Sequence, residues 1–301
     1  QPYDVYATAA DFGLSSNGTA EAKSYFASDL CVSEDVAIGT DSTDSQVAEG
    51  AGTFNLETNT VVYAKNLYER LYPASTTKIL TAYIALKYCD DLDAMVTVSE
   101  NAVNQASDSS VCNLKAGDVI RLRDLLYGLM LRSGNDAAVA IAEYISGDVD
   151  SFAALMNQEA AAMGATRSHF VNPNGLPDEN HYTCVYDMYL IFQAAVQNET
   201  FLQIISTPSY DVSYTGADGQ AKSQTWVSTN RYLNGKESAP AGFTVVGGKT
   251  GTTYEAGYCL VLYSYNDQNQ PIISIVYNSD CTLNLYYLMN ELLYTFGEAP
   301  S

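Results

Sequence analysis

Strand-forming sequence lies at both ends of this chain, and helix-forming sequence lies between. Near the start, Gly52-Thr-Phe-Asn-Leu-Glu-Thr-Asn-Thr-Val-Val-Tyr-Ala-Lys65 alternates Phe54 and Leu56 with polar residues. It turns at Thr58-Asn59 and resumes strand character at Val61, so it reads as a hairpin. Near the end, Phe243–Gly251, Tyr258–Tyr265 and Pro271–Tyr277 read as consecutive antiparallel strands, the last two joined by a turn over Asn266–Gln270. From about 90 to 210 the pattern is helical, with helices expected over 119–131, 137–145, 151–163 and 185–197. A last amphipathic helix covers 283–296 and is expected to pack on the sheet. The economical fold is α+β: one antiparallel sheet built from both ends and flanked by helices, with an all-helical subdomain inserted. Residues 1–47 form a partly irregular extension, in which Tyr25-Phe26 and Leu30-Cys31-Val32 are expected to pack on the body. With 301 residues, 47% of them hydrophobic, a core of this size is easily filled.

Three short stretches in this frame carry chemistry. Ser75-Thr-Thr-Lys78 follows Pro73 and opens an apolar run without Gly or Pro, so serine and lysine fall one helical turn apart on one face. A hydroxyl beside an amine at a helix start suits a nucleophile and its base. Taken alone, the same four residues also fit a helix cap with a solvated lysine. Ser133-Gly-Asn135 is a polar corner between two helices. Lys249-Thr250-Gly251 lies on a strand whose glycines at 247, 248 and 251 admit another backbone or a ligand.

Other chemistries have less support. The formal charge of −21 leaves no basic stripe for nucleic acid. The six cysteines form no C-x-x-C and no zinc-type cluster, so neither a metal nor a cofactor is expected. Their even number permits up to three disulfides. His169 and His181 flank the Asn172–Pro177 loop without a G-x-S-x-G elbow and read as structural histidines. Among 35 acidic residues some carboxylate pairs are inevitable, so they are no sign of a glycosidase.

In this order, the three motifs resemble the S-x-x-K, S-x-N and K-T-G set of the penicillin-binding, serine-type D-Ala-D-Ala carboxypeptidases, a set shared with class A β-lactamases. Tyr72–Ile79, Leu125–Ala138, Phe170–Leu176, His181-Tyr-Thr, Asn230-Arg231 and Gly248–Gly257 extend the likeness over roughly residues 48–296. The resemblance implies a β-lactamase/transpeptidase-like catalytic domain over 48–301. It implies Ser75 as nucleophile, Lys78 as its base and Ser133 as proton relay. Asn135, Lys249, Thr250, Gly251 and Thr252 would bind substrate, and the backbone N–H groups of Ser75 and Thr252 would form the oxyanion hole. The implied partners are a peptidoglycan stem peptide ending in D-Ala-D-Ala and β-lactam antibiotics, at an extracytoplasmic site in a bacterial envelope. Where the family usually has histidine, this chain has Asn174. Neither the smaller β-domain that often follows nor a membrane anchor is expected in this stretch. A β-lactamase, a cross-link endopeptidase and a non-catalytic β-lactam sensor or wall-binding module are the alternatives. The Asn172–Pro177 loop lacks the E-x-x-x-N pattern of the first.

Overall fold

The computed structural model describes residues 29–296. The elements in order are strands β1 (Ala48–Asn55) and β2 (Thr60–Lys65), then a 3-10 turn (Ala74–Thr77) running into α1 (Lys78–Tyr88). Strand β3 (Met95–Thr97), α2 (Glu100–Val103), β4 (Val119–Arg121) and α3 (Leu122–Tyr127) follow. A wide π-type turn (Gly128–Arg132) leads to α4 (Asn135–Ser146), α5 (Val149–Ala162), α6 (Val185–Ala195) and α7 (Glu199–Ile205). The chain closes with β5 (Ser209–Thr215), β6 (Ala221–Val227), β7 (Thr244–Thr253), β8 (Gly257–Tyr265), β9 (Pro271–Ser279) and α8 (Thr282–Phe296).

Both ends of the chain do build one antiparallel sheet, in the order β2-β1-β9-β8-β7. β1 closes against β9 with Ala51 opposite Val276, so residues more than 220 positions apart share a ladder. Successive strand residues face opposite sides. Leu260, Leu262 and Val276 therefore pack with Leu288, Met289 and Leu292 of α8. Val261, Ile273 and Ile275 face the larger core of α1, α4 and α6. With both faces covered, β8 reads as an unbroken apolar run instead of an alternating one. Each such fully buried leucine or isoleucine contributes about 1.5–3 kcal/mol.

The insertion is not all-helical. It also carries a four-stranded sheet, β3-β4-β5-β6. The β5–β6 hairpin turns through Asp218-Gly219, with Gly219 at φ 75°, and buries chiefly Val212 and Trp226 on its inner side. Its other side is polar and exposed, which is why apolar content alone does not reveal it. The helix expected over 119–131 is likewise interrupted: it begins as β4 and ends in the π turn. Cys31 is buried, and its backbone N–H and carbonyl bond the hydroxyls of Tyr189 and Tyr186, so Leu30 and Cys31 pack on the body, whereas Val32, expected to join them, is exposed to solvent. Tyr25-Phe26 lies outside the described residues. All six cysteines are free thiols. No helix among the described residues is long and apolar enough to cross a membrane.

Candidate active site

The 3-10 turn before α1 presents Ser75 by fixing its neighbours. Thr76 Oγ1 donates to Pro73 O at 2.7 Å and lies 2.7 Å from the Tyr277 hydroxyl. Thr77 Oγ1 lies 2.8 Å from His181 Nε2. Both threonines are buried, whereas Ser75 is half-buried. Ala74, immediately before it, has φ 47°, a left-handed conformation that a side chain disfavours. Strain of this kind persists where surrounding contacts over-determine it.

Lys78 is completely buried. Its Nζ lies 2.8 Å from Ser75 Oγ, 2.8 Å from Asn135 Oδ1 and 2.6 Å from the Asn174 carbonyl oxygen. Burial first, and the positive charge of Lys249 second, hold its pKa well below that of an ordinary lysine. A neutral amine has two hydrogens and one lone pair. The amide and carbonyl oxygens can only accept, so they take the two hydrogens. The lone pair then faces the Ser75 hydroxyl, which is the geometry of a general base.

Ser133 ends the π turn in a left-handed conformation, φ 60° and ψ 35°, which sets its side chain apart from both flanking helices. Lys249, on β7, donates from Nζ to Ser133 Oγ at 3.0 Å and to the Thr250 carbonyl at 2.8 Å. Lys249 is also fully buried, and burial lowers its pKa to about 7. Asp136 anchors the segment above the site by accepting from Cys112 N at 2.8 Å and Leu114 N at 3.1 Å. Asn135 N donates to Ser110 O at 2.8 Å.

β7 is an edge strand of the large sheet and packs against the turn that carries Ser75. A Cβ on Gly251 would lie 3.0 Å from Ser75 N and 3.1 Å from Pro73 O, so a side chain there would crowd the turn, and glycine lets the two backbones come this close without a shift. Ser75 and Thr252 consequently stand at the neck between two open chambers. The first, of about 250 Å³, adds Ser133, Thr229, Arg231 and Thr250. The second, of about 360 Å³, shares Ser110 with the first and adds Asn135, Asn174 and Tyr254, with Asp108 and Glu255 at its rim.

All eight residues singled out in the sequence meet here: Ser75, Lys78, Ser133, Asn135, Lys249, Thr250, Gly251 and Thr252. Lys249 stands one layer behind the chamber walls. It lines neither chamber, and its ammonium faces Ser133. The cation that does line the first chamber is Arg231, whose buried Nε has no hydrogen-bond partner. Thr229 beside it bonds Thr250 through their hydroxyls at 2.6 Å. Asn230-Arg231 carried part of the family likeness, but nothing in its local sequence assigns the arginine a role. The Asn174 carbonyl was likewise invisible, since backbone acceptors leave no residue signature.

The two histidines are structural. Val171 N–H donates to His181 Nδ1 at 3.1 Å, which leaves Nε2 to carry the proton toward Thr77. Burial lowers the His181 pKa to about 4, so the ring is neutral. His169 Nδ1 lies 2.6 Å from the Asn180 carbonyl, away from Ser75. Among the described residues no group of His, Cys, Asp and Glu is arranged to hold a metal ion.

A family model described as D-alanyl-D-alanine carboxypeptidase matches residues 39–281. The chain is 34% identical over 237 residues to the D-alanyl-D-alanine carboxypeptidase DacF of Bacillus subtilis, covering 77% of this chain and 57% of that one. It is 35% identical over 224 residues to a D-alanyl-D-alanine carboxypeptidase of a Streptomyces species, covering 71% and 75%. It thus spans a little over half the length of the Bacillus relative, and likewise of DacC from Escherichia coli, at 56%. The solved Streptomyces DD-transpeptidase superposes with a TM-score of 0.75 at 30% identity, over 83% of this chain and 97% of that one. The carboxypeptidase DacD of Francisella tularensis gives a TM-score of 0.72 at 28% identity, over 93% and 74%.

Proposed function

The chain belongs to the D-alanyl-D-alanine carboxypeptidase family, and from that premise we propose that it releases the terminal D-Ala of peptidoglycan stem peptides through an acyl-serine intermediate. The observation that carries the reading is the 2.8 Å contact from Ser75 Oγ to a buried lysine amine whose two hydrogens are already engaged. Ser75 Oγ attacks the carbonyl of the penultimate D-Ala as Lys78 takes its proton. The Ser75 and Thr252 backbone N–H groups receive the developing oxyanion, each such donor being worth ~10²–10³ in rate. The C–N bond then breaks, and the proton passes through Ser133 to the departing amine. Water hydrolyses the ester and restores Ser75. Asn135, with its Oδ1 held by Lys78, offers its amide NH₂ to a peptide carbonyl of the acyl half.

The leaving half carries a carboxylate. Arg231 and the Thr229 and Thr250 hydroxyls, which line the first chamber, suit it, and Lys249 adds positive charge behind Ser133. β-Lactams would acylate Ser75 in the same way. None of the three partners of Lys78 Nζ is a carboxylate, so no acid stands at the base to speed deacylation, and the adduct is expected to persist. The substrate lies outside the cytoplasmic membrane, so the enzyme would work in the cell envelope. The catalytic domain is taken to begin near residue 48 and to run through α8.

Fluorescent penicillin followed by peptide mapping tests the assignment. One stable adduct is expected, on Ser75, with its loss and the loss of D-Ala release in Ser75→Ala. Label on another serine, or D-Ala release surviving in Ser75→Ala, would sink it. Rapid turnover of the penicillin would favour the lactamase alternative.

A further inference from the structure

Beyond the first chamber the cleft does not close. It continues past Thr229 and Arg231 into an open groove of about 650 Å³, lined also by Arg132, Asn234 and Lys236. Its three charged lining residues are all cations, in a chain that has only 14 Lys and Arg against 35 Asp and Glu. They come from two separate elements. Arg132 ends the π turn just before Ser133. Arg231 and Lys236 lie on the segment after β6, which folds back so that Lys236 N donates to Arg231 O at 3.0 Å. The nearest acid in that segment, Glu237, is turned toward Asn290 of α8. Arg132 and Lys236 are exposed, and neither forms an ion pair among the described residues. A local positive site of this kind must be built against an unfavourable overall field, and it concentrates anions where it stands.

The groove adjoins the chamber that suits the leaving group's carboxylate, and it has far more room than a lone alanine fills. We propose that it receives a second carboxylate on the leaving side, so that the enzyme releases a terminal residue with an acidic side chain in preference to its neutral amide. This rests on the acyl-serine reading above. The bond broken is the same amide, and the proton again goes to the departing nitrogen. What changes is the size and charge of the piece that departs.

The test compares diacetyl-L-Lys-D-Ala peptides ending in D-Glu, D-Gln or D-Ala, with the released amino acid measured at low salt. For the unaltered enzyme kcat/KM for the D-Glu peptide should exceed that for the D-Gln peptide by about fivefold, the scale of partly exposed ion pairs. The preference should shrink at high salt. Arg132→Ala combined with Lys236→Ala should bring the ratio to about one, with D-Ala release unchanged. Lys236→Glu, a single change at an exposed position, should push the ratio below one and guards against a folding defect in the double variant. A ratio near one in the unaltered enzyme, or a preference that survives these substitutions, overturns the groove's role while leaving D-Ala release standing. Failure to release D-Ala or to be acylated by penicillin overturns the acyl-serine reading and the groove's role with it.

Discussion

At the scale of single residues, the site depends on two buried lysines held at low proton affinity. Lys249 has a pKa near 7 when folded against about 10.5 ordinarily. Below pH 7 it is charged in both the folded and unfolded states. Between pH 7 and 10.5 the unfolded chain holds a proton that the folded one has released, so stability rises with pH across that window. Lys249→Met removes the amine whose charged form burial disfavours. Its urea midpoint at pH 7 should rise by the equivalent of on the order of 4 kcal/mol, and it should lose the dependence on pH between 7 and 9.5 that separates it from the parent. The same change removes the positive charge that helps keep Lys78 neutral. The acid limb of penicillin acylation should therefore move to higher pH, and acylation should fall steeply. Equal pH slopes of stability in parent and variant would show that Lys249 is not buried with a depressed pKa. A more stable and less active variant is the usual consequence of removing a strained functional group.

At the scale of elements, the turn that carries Ser75 is gripped between β7 on one side and the 172–177 loop on the other. Gly175 has φ 87°, and a Cβ there would overlap the Ala74 carbonyl oxygen. Gly175→Ala has no flexible atom to push aside, so the loop must retreat and draw the Asn174 carbonyl away from Lys78. We expect a loss of about 1–3 kcal/mol in stability. Penicillin acylation should slow more than tenfold, measured under conditions where circular dichroism shows the variant folded. Near-parental acylation would mean that the Asn174 carbonyl is dispensable. The element scale also shows what a sequence can disclose. β8 and β9 were legible because burial on both faces demands apolar runs, and Ser75, Lys78, Ser133 and Lys249 because their chemistry allows few other residue types. β5 and β6 were not, since strands with one wet face, such as Lys222-Ser-Gln-Thr225, look like loop. The π turn was hidden for a different reason. Gly128 through Arg132 has ordinary helical composition, and the widening comes from packing: a Cβ on Gly128 would lie 2.6 Å from Cys112 Sγ.

At the scale of the whole molecule, the site is assembled across a seam. The large sheet contributes Lys249 and Thr252, the inserted layer contributes Ser133 and Asn135, and α1 runs between them carrying Lys78. A small displacement of the two layers would part Lys249 from Ser133 without breaking either core. Cys112 lies on this seam, its sulfur packed against Gly128 and Gly134 on either side of the Ser133 turn. Its thiol is fully buried, and burial raises its pKa well above the usual value. Cys31 is equally buried, but against Tyr189 on the far side of the large core. These sulfurs make the protein a clock for its own opening. With a thiol-specific reagent and site-resolved mass spectrometry, the half-buried Cys89 and Cys281 should react in the first phase. Cys31 and Cys112 should wait for structural excursions. If the seam opens independently of the cores, Cys112 reacts well before Cys31, and an acyl group on Ser75 slows Cys112 alone. A common rate for both, slowed together, would mean that the layers part only when the whole molecule unfolds.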